Sequence, residues 1–360
     1  MNIIFRVDAS VNIGTGHVVR CLTLADELRS KGADVRFICR EDNGNLIDFI
    51  KKKNYEVYPL PAGIDSYKDL KLTEEILKEQ DKMPEVLIVD HYGIDVKWES
   101  PIRKVVKKIM VIDDLANRRH DCALLLDQNY SLNADRYKGL VPDNCAKLLG
   151  PKYALLRPQF QKARENLQER NGEVKRILVF FGGADPTNET CKALRAIKML
   201  DRPDIATDVV IGSCNPHRAE IEAIASHMSN TFCHFDVENM AELMAHADLC
   251  LGASGSTTWE RCCLGLPSIV MILADNQKDI AEELEKEGVI VNLGWHKKVK
   301  EEAIAEAILE LIKNPEKAKA MSAKGMNTVD GYGAGKVIDA MDKTAIGNKN
   351  LKKKLKRAIA

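Results

Sequence analysis

The sequence predicts an α/β protein made of two doubly wound domains, each a parallel sheet with helices on its faces. Three observations carry that expectation. Short unbroken apolar runs recur along most of the chain, as strands buried on both faces require. Helical patterns separate them, which makes the connections crossovers. The chain has 360 residues, more than one ordinary core holds and enough for two domains of about 150 residues each.

The first series begins with a strand over 3–7, a glycine-containing turn, and a helix over 18–31 that Gly32 stops. A strand over 35–39, a helix over 46–53 and an extended run Glu56–Leu60 follow. Val86–Asp90, 108–113 and 123–127 are apolar runs that each end on aspartate. The polar stretch 151–173, broken at Arg157-Pro158, reads as the domain boundary. A second series then runs through strands at 176–181, 208–211, Thr231–Phe235, 249–252, Ser268–Ile272 and 289–292. Helices fall at 187–200, 217–228, Met240–His246, Thr257–Cys263 and 278–287. The expected domains are 1–155 and 156–345, both Rossmann-like, with a basic tail over 346–360. That tail holds six Lys or Arg residues from Lys349 onward and reads as a short solvated helix.

Composition narrows the partners. Basic and acidic side chains number 53 each, so no broad cationic face for nucleic acid is expected. Aromatics are 5% of the chain, too few for stacking platforms to dominate. No apolar run approaches the roughly 20 residues that cross a bilayer. The N-terminus lacks the layout of a secretory leader. The ten cysteines form no C-x-x-C pair, which suits reduced thiols in a cytoplasmic protein. Stable membrane association is not expected.

Five places can carry chemistry. The first βα turn reads Ile13-Gly14-Thr15-Gly16-His17-Val18-Val19-Arg20. Gly14 and Gly16 let the backbone approach a ligand, and His17 stands on the first helical turn at the carboxyl edge of the sheet. There the helix dipole disfavours imidazolium, so His17 is either a neutral base or a packed, capping histidine. The second is Gly252-Ala253-Ser254-Gly255-Ser256, an anion cradle opening a helix, with Glu260 one turn inside and able to accept two ribose hydroxyls. Downstream, Asn276 and Gln277 suit sugar hydroxyls or amides, or simply a turn. The third is Phe181-Gly182-Gly183-Ala184-Asp185-Pro186-Thr187, a phosphate-facing or ordinary connection with Asp185 or Thr187 as cap. The fourth is Asp90-His91-Tyr92-Gly93, with Tyr92 as a possible companion of His17. The fifth, Asp113-Asp114 with Asp127, reads as loop capping in preference to a metal site.

In order and spacing these motifs resemble the UDP-sugar hydrolases of pseudaminic acid biosynthesis over about residues 1–340. The motifs are 6–22, 89–93, 181–185, 252–260 and Asp275-Asn276-Gln277. The resemblance implies the two-Rossmann GT-B fold with its domains facing a cleft, shared with the lipid II-forming N-acetylglucosaminyltransferase. It implies hydrolysis of UDP-2,4-diacetamido-2,4,6-trideoxy-β-L-altropyranose to UDP and the free sugar, a step that serves flagellin glycosylation, with no metal and no cofactor. It carries the catalytic role onto His17 and substrate contacts onto Gly14, Gly16, Arg20, Tyr92, Asn276 and Gln277. UDP contacts fall on Gly183, Ala253, Ser254, Gly255, Ser256 and Glu260. UDP is a good leaving group, so the chemistry asks for an activated water more than a strong acid. A UDP-sugar glycosyltransferase and a noncatalytic nucleotide-sugar binder are the competing readings, since one fold serves all three. A dehydrogenase is disfavoured: Cys39-Arg40, with Glu41 after it, stands where a ribose-binding acid is needed at the end of the second strand.

Overall fold

A computed structural model describes residues 1–343 apart from Asn12, Ser213 and Asp236. The tail expected over 346–360 lies outside the described residues. The chain divides into two compact units. The first holds residues 1–129, 133–155 and 332–343; the second holds 130–132 and 156–331.

In the first unit the strands are β1 (Asn2–Val7), β2 (Asp34–Arg40), β3 (Glu56–Leu60), β4 (Val86–Asp90), β5 (Ile109–Ile112), β6 (Leu124–Asp127) and β7 (Ala146–Leu149). They form one sheet in the order β3-β2-β1-β4-β5-β6-β7, with every pairing parallel. The helices between them are α1 (Gly16–Ser30), α2 (Ile47–Lys52), α3 (Ser66–Lys78) and α4 (Val96–Ile102). Side chains alternate between faces, so β1 feeds two cores. Ile3, Phe5 and Val7 pack under α1 with Leu24 and Leu28, while Ile4 joins Leu87, Val89 and Trp98 on the other face. Both cores are needed because parallel sheets bury both faces.

The second unit begins with α5 (Pro158–Glu165) and β8 (Arg176–Phe180), followed by α6 (Glu189–Met199) and β9 (Ala206–Ile211). It continues through α7 (Arg218–Ala225), β10 (Thr231–Phe235), α8 (Met240–His246) and β11 (Leu249–Ala253). It closes with α9 (Thr257–Cys263), β12 (Ser268–Ile272), α10 (Lys278–Lys286), β13 (Val291–Trp295), α11 (Glu301–Lys313) and α12 (Pro315–Thr328). Its strand order is β10-β9-β8-β11-β12-β13, again parallel throughout.

Three departures from the sequence expectation have physical causes. The second unit ends at Gly331, not at 345. A helix over 333–343 returns to the first unit, where Val337, Ile338 and Met341 enter the core beside Leu148 and Leu155. The helix expected from 187 starts at Glu189, because Asp185 and Asn188 both take positive φ and close a turn first. The strand expected from 289 starts at Val291. The preceding residues belong to the end of α10: Gly288 has φ +68°, and Val289 N–H donates back to Leu284 O at 2.9 Å. Among the described residues no helix is long and apolar enough to cross a membrane.

Candidate functional site

In the first unit the chemistry gathers at the carboxyl ends of β1, β4 and β5. Val7 is in register with Asp90, so the helix that follows β1 starts beside the last residue of β4. Gly14, at φ +80°, closes the exposed turn by donating its N–H to Ser10 O at 2.8 Å. Gly16 opens α1 and His17 lies on its first turn, buried to 7% exposure.

His17 Nδ1 lies 2.6 Å from Asp90 Oδ1. Burial pushes the Asp90 carboxyl up, but Arg20 and His17 overcome it and hold that carboxyl well below the usual carboxylate range. Asp90 is therefore an acceptor only, and the proton sits on Nδ1. Nε2 is left with its lone pair, the arrangement a general base needs. Arg20 donates to the same carboxylate, from Nε to Oδ2 at 2.6 Å and from Nη2 to Oδ1 at 2.7 Å. Its Nη1 donates to Asp114 Oδ2 at 3.0 Å. Burial alone lowers the guanidinium, but Asp90 and Asp114 raise it well above its ordinary value. Arg20 is 8% exposed, so its charge is spent behind His17, holding Asp90. Tyr92, half-buried, meets the His17 ring edge-on with centroids 4.6 Å apart.

Asp113 and Asp127 serve an adjacent polar knot. Tyr137 Oη lies 3.0 Å from Asp113 Oδ2 and 3.1 Å from Asp127 Oδ2. Asp113 also accepts from Ala116 N–H, the capping role expected of it. Burial pushes Asp127 up to about 6, although Arg136 beside it at 3.0 Å opposes the rise.

In the second unit the glycine turns also sit at carboxyl strand ends. Gly252 is required by contact: a Cβ there would lie 2.6 Å from Phe180 O on β8. Ser254 is buried, and its Oγ donates to Gln277 O at 3.1 Å. Gln277 in turn accepts the Leu273 N–H at 3.0 Å. Ala253 ends β11, and Gly255 and the exposed Ser256 complete the turn into α9. Gly255 lies beside Gln277, since a Cβ on it would be 3.6 Å from Nε2. Gly183 and Asn276 are exposed. Asp185 is the cap: its carboxylate accepts from Glu189 N–H at 3.0 Å and from Thr190 N–H at 2.9 Å. Glu260 is mostly buried, which raises its pKa, and Arg157 Nη2 donates to it at 3.3 Å.

The structure thus joins His17, Arg20 and Tyr92 into one cluster, and Ser254, Gly255 and Gln277 into another. It adds Asp90 and Arg157, to which the sequence reading gave no role, and it pairs Asp114, expected to cap a loop, with the Arg20 guanidinium. Asp90 ends an apolar run just as Asp113 and Asp127 do, so its place in the sequence did not single it out.

Comparison with known proteins agrees with this architecture. The glycosyltransferase family 28 C-terminal domain matches residues 176–332. The UDP-2,4-diacetamido-2,4,6-trideoxy-β-L-altropyranose hydrolase of Campylobacter jejuni is 32% identical over 290 residues, covering 80% of this chain and 97% of its own. The chain belongs to the family of that hydrolase. An uncharacterized protein of Methanocaldococcus jannaschii, MJ1062, is 29% identical over 294 residues. That match takes in 79% of this chain but only 58% of the longer relative. Among solved structures, MurG of Acinetobacter baumannii superimposes with a TM-score of 0.67 at 14% identity, covering 95% of this chain and 99% of its own. The fold is GT-B, two parallel-sheet α/β domains, and the chain is an enzyme of the glycosyltransferase 28-like group.

Proposed function

We propose that this enzyme hydrolyses the anomeric C–O bond of UDP-2,4-diacetamido-2,4,6-trideoxy-β-L-altropyranose, releasing UDP and the free 2,4-diacetamido-2,4,6-trideoxy-L-altrose. The observation that carries the reading is the His17–Asp90 pair, which leaves Nε2 of a buried imidazole able to take a proton. In this reading Nε2 removes a proton from water, and the water oxygen bonds to the anomeric carbon from the face opposite UDP. The C–O bond to the nucleotide breaks, its electron pair leaves with UDP, and configuration inverts. Asp90 stabilises the imidazolium that forms, and Arg20 keeps Asp90 in place. Tyr92 is a substrate contact beside the base.

The second unit contributes the nucleotide grip in this reading. The 253–256 turn offers backbone N–H groups to the diphosphate, with Gly183 on the neighbouring turn. Glu260, partnered by Arg157, accepts the ribose hydroxyls. Asn276 and Gln277 contact the sugar. The substrate is a small molecule, the protein works in the cytoplasm, and the sugar feeds pseudaminic acid biosynthesis. The relative named as a hydrolase in Campylobacter jejuni supports this choice of substrate.

Transfer to an acceptor hydroxyl is the second reading, favoured by the family 28 match and the likeness to MurG. The test is UDP release from the UDP-sugar without acceptor, for wild type and His17→Ala. Rapid release that vanishes in the variant, with UDP affinity kept, supports hydrolysis. Release only on adding an acceptor supports transfer, and unchanged turnover in His17→Ala refutes the base assignment.

A further inference from the structure

The turn that carries Tyr92 is gripped on both flanks. On one side His91 Nδ1 accepts the Gly93 N–H at 2.9 Å. A backbone N–H only donates, so Nδ1 is bare and the ring proton is on Nε2. That nitrogen faces Asp8 Oδ2 at 3.3 Å. Asp8 is itself fixed: Arg6 donates to it from Nη1 and Nη2 at 2.6 and 2.9 Å, and the Arg40 N–H donates at 2.7 Å. Burial pushes Asp8 up, but Arg6 and His91 overcome it and hold it well below the usual range, so it accepts at any ordinary pH. Gly93 is fitted to the ring, since a Cβ there would lie 2.9 Å from His91 Cε1.

On the other side Arg118 donates from Nε to Ile94 O at 2.8 Å and from Nη2 to His91 O at 3.1 Å. Its Nη1 is anchored on Asp113 Oδ1 at 2.7 Å. The turn's own backbone bond, Ile94 N–H to His91 O, is long at 3.3 Å. The side-chain bonds from both flanks add to that bond in holding the turn.

We infer that His91 and Arg118 are positioning residues that clamp the 91–94 turn and so fix the Tyr92 ring against the His17 imidazole. The inference rests on the reading of His17 as the base. Neither residue touches the reacting atoms in this account. Each acts through Tyr92, and misplacement of a reacting group by about 1 Å costs on the order of 100-fold in rate.

Side-chain isosteres separate the two bonds of His91. Asparagine puts an oxygen where Nδ1 stands and keeps the acceptor for Gly93. Glutamine puts an N–H where Nε2 stands, keeps the donor to Asp8 and loses that acceptor. The experiment measures kcat, KM, UDP affinity and melting temperature for His91→Asn, His91→Gln, Arg118→Met and His17→Ala, with the UDP-diacetamido-trideoxy-altropyranose as substrate. The expected result is a fall in kcat of about 10- to 100-fold for His91→Gln and Arg118→Met with UDP affinity unchanged, and recovery of most of that loss in His91→Asn. Equal losses in Asn and Gln, a loss confined to KM, or wild-type kcat in Gln and Met beside an inactive His17→Ala would overturn the clamp and leave the base reading standing. Full turnover by His17→Ala overturns the base reading, and the clamp's role with it.

Discussion

Replacing Asp90 by asparagine changes one oxygen to an amide nitrogen at the centre of the proposed chemistry. In the native site Oδ1 accepts from His17 Nδ1 and Arg20 Nη2, and Oδ2 accepts from Arg20 Nε. An asparagine offers one acceptor atom. Arg20 can only donate, so it claims that oxygen, and the new NH2 group turns to His17. A donor facing Nδ1 forces the ring to accept there, which moves the proton to Nε2 and removes the base. In a Ser-His-Asp triad this tautomer error costs about 10⁴-fold in kcat. The proposed reaction needs the same lone pair, and a loss of about 10³- to 10⁴-fold is expected, about 4 to 5.5 kcal/mol of barrier. Burial is 99% at Asp90, so some folding stability goes too, and melting must be followed in parallel. The assay is UDP release with saturating UDP-sugar, together with UDP affinity by calorimetry. Nitrogen NMR of the His17 ring reads the tautomer directly: wild type carries the proton on Nδ1, the variant on Nε2. A folded Asp90→Asn that keeps its rate within about tenfold, or a wild-type ring protonated on Nε2, would refute the assignment.

Further expectations follow from the same geometry. Asp127 titrates near 6 against about 3.9 in an unfolded chain, so burying its charge costs stability that appears as pH rises from about 4 to 6 and is complete above, about 3 kcal/mol. Asp127→Asn should match wild type in urea unfolding near pH 4 and exceed it at pH 7.5; a difference independent of pH would show that this burial cost is absent. Gly252→Ala forces a methyl into Phe180 O and should cost about 1–3 kcal/mol in thermal or urea unfolding, whereas Gly183→Ala meets nothing within 4 Å and should be neutral. Glu260→Gln should weaken UDP binding by about 10-fold or more through lost charge-assisted bonds, with little effect on 2′,3′-dideoxy-UDP. Equal losses for both nucleotides would remove Glu260 from the ribose. Cys214 is the exposed cysteine among the ten, so one thiol should react fast with a disulfide reagent, and Cys214→Ser should abolish that phase.

Most strands were legible because a run buried on both faces has no polar alternation to obscure it, and Val86–Asp90 and Ser268–Ile272, buried throughout, begin and end where the sequence puts them. Among the helices that escaped, α3 has a narrow apolar stripe in polar surroundings. α3 buries Leu70, Thr73 and Leu77 on one face, and its clearest mark is the Asp65 carboxylate accepting from Lys68 N–H at 2.7 Å. β7 escaped for another reason: Ala146–Leu149 is an edge strand with only Leu148 buried. The helix over 333–343 could not be assigned to the first unit from its own residues. Its apolar side chains are ordinary, and only the core they enter says which domain they finish.

The candidate site divides along the same line, between what local pattern encodes and what pairing decides. A histidine after Gly-x-Gly on a βα turn is visible in six residues, because backbone geometry at the start of α1 demands them. Asp90 is 73 residues away, and nothing in its neighbourhood distinguishes a carboxylate that orients a base from one that ends a strand. The decision lies in the strand order. β1 and β4 are neighbours only because the sheet reverses direction at β1, so β4 lies on the side away from β2. That reversal is where open parallel sheets admit ligands, since the helices leaving the two strands lie on opposite faces. The same reversal accounts for Arg20. Read along α1 it is a cation one turn after His17 and suited to an anionic substrate, yet Asp90 at the end of β4 and Asp114 in the loop just past β5 take up its charge. A charged residue at such a crossing is therefore better assigned from the carboxylates at or just past the ends of the neighbouring strands than from its distance to the glycine turn. Arg20→Lys tests this ordering. A lysine cannot hold both carboxylates, so kcat should fall with little change in UDP affinity, while a loss seen only in KM would restore Arg20 to direct contact with substrate.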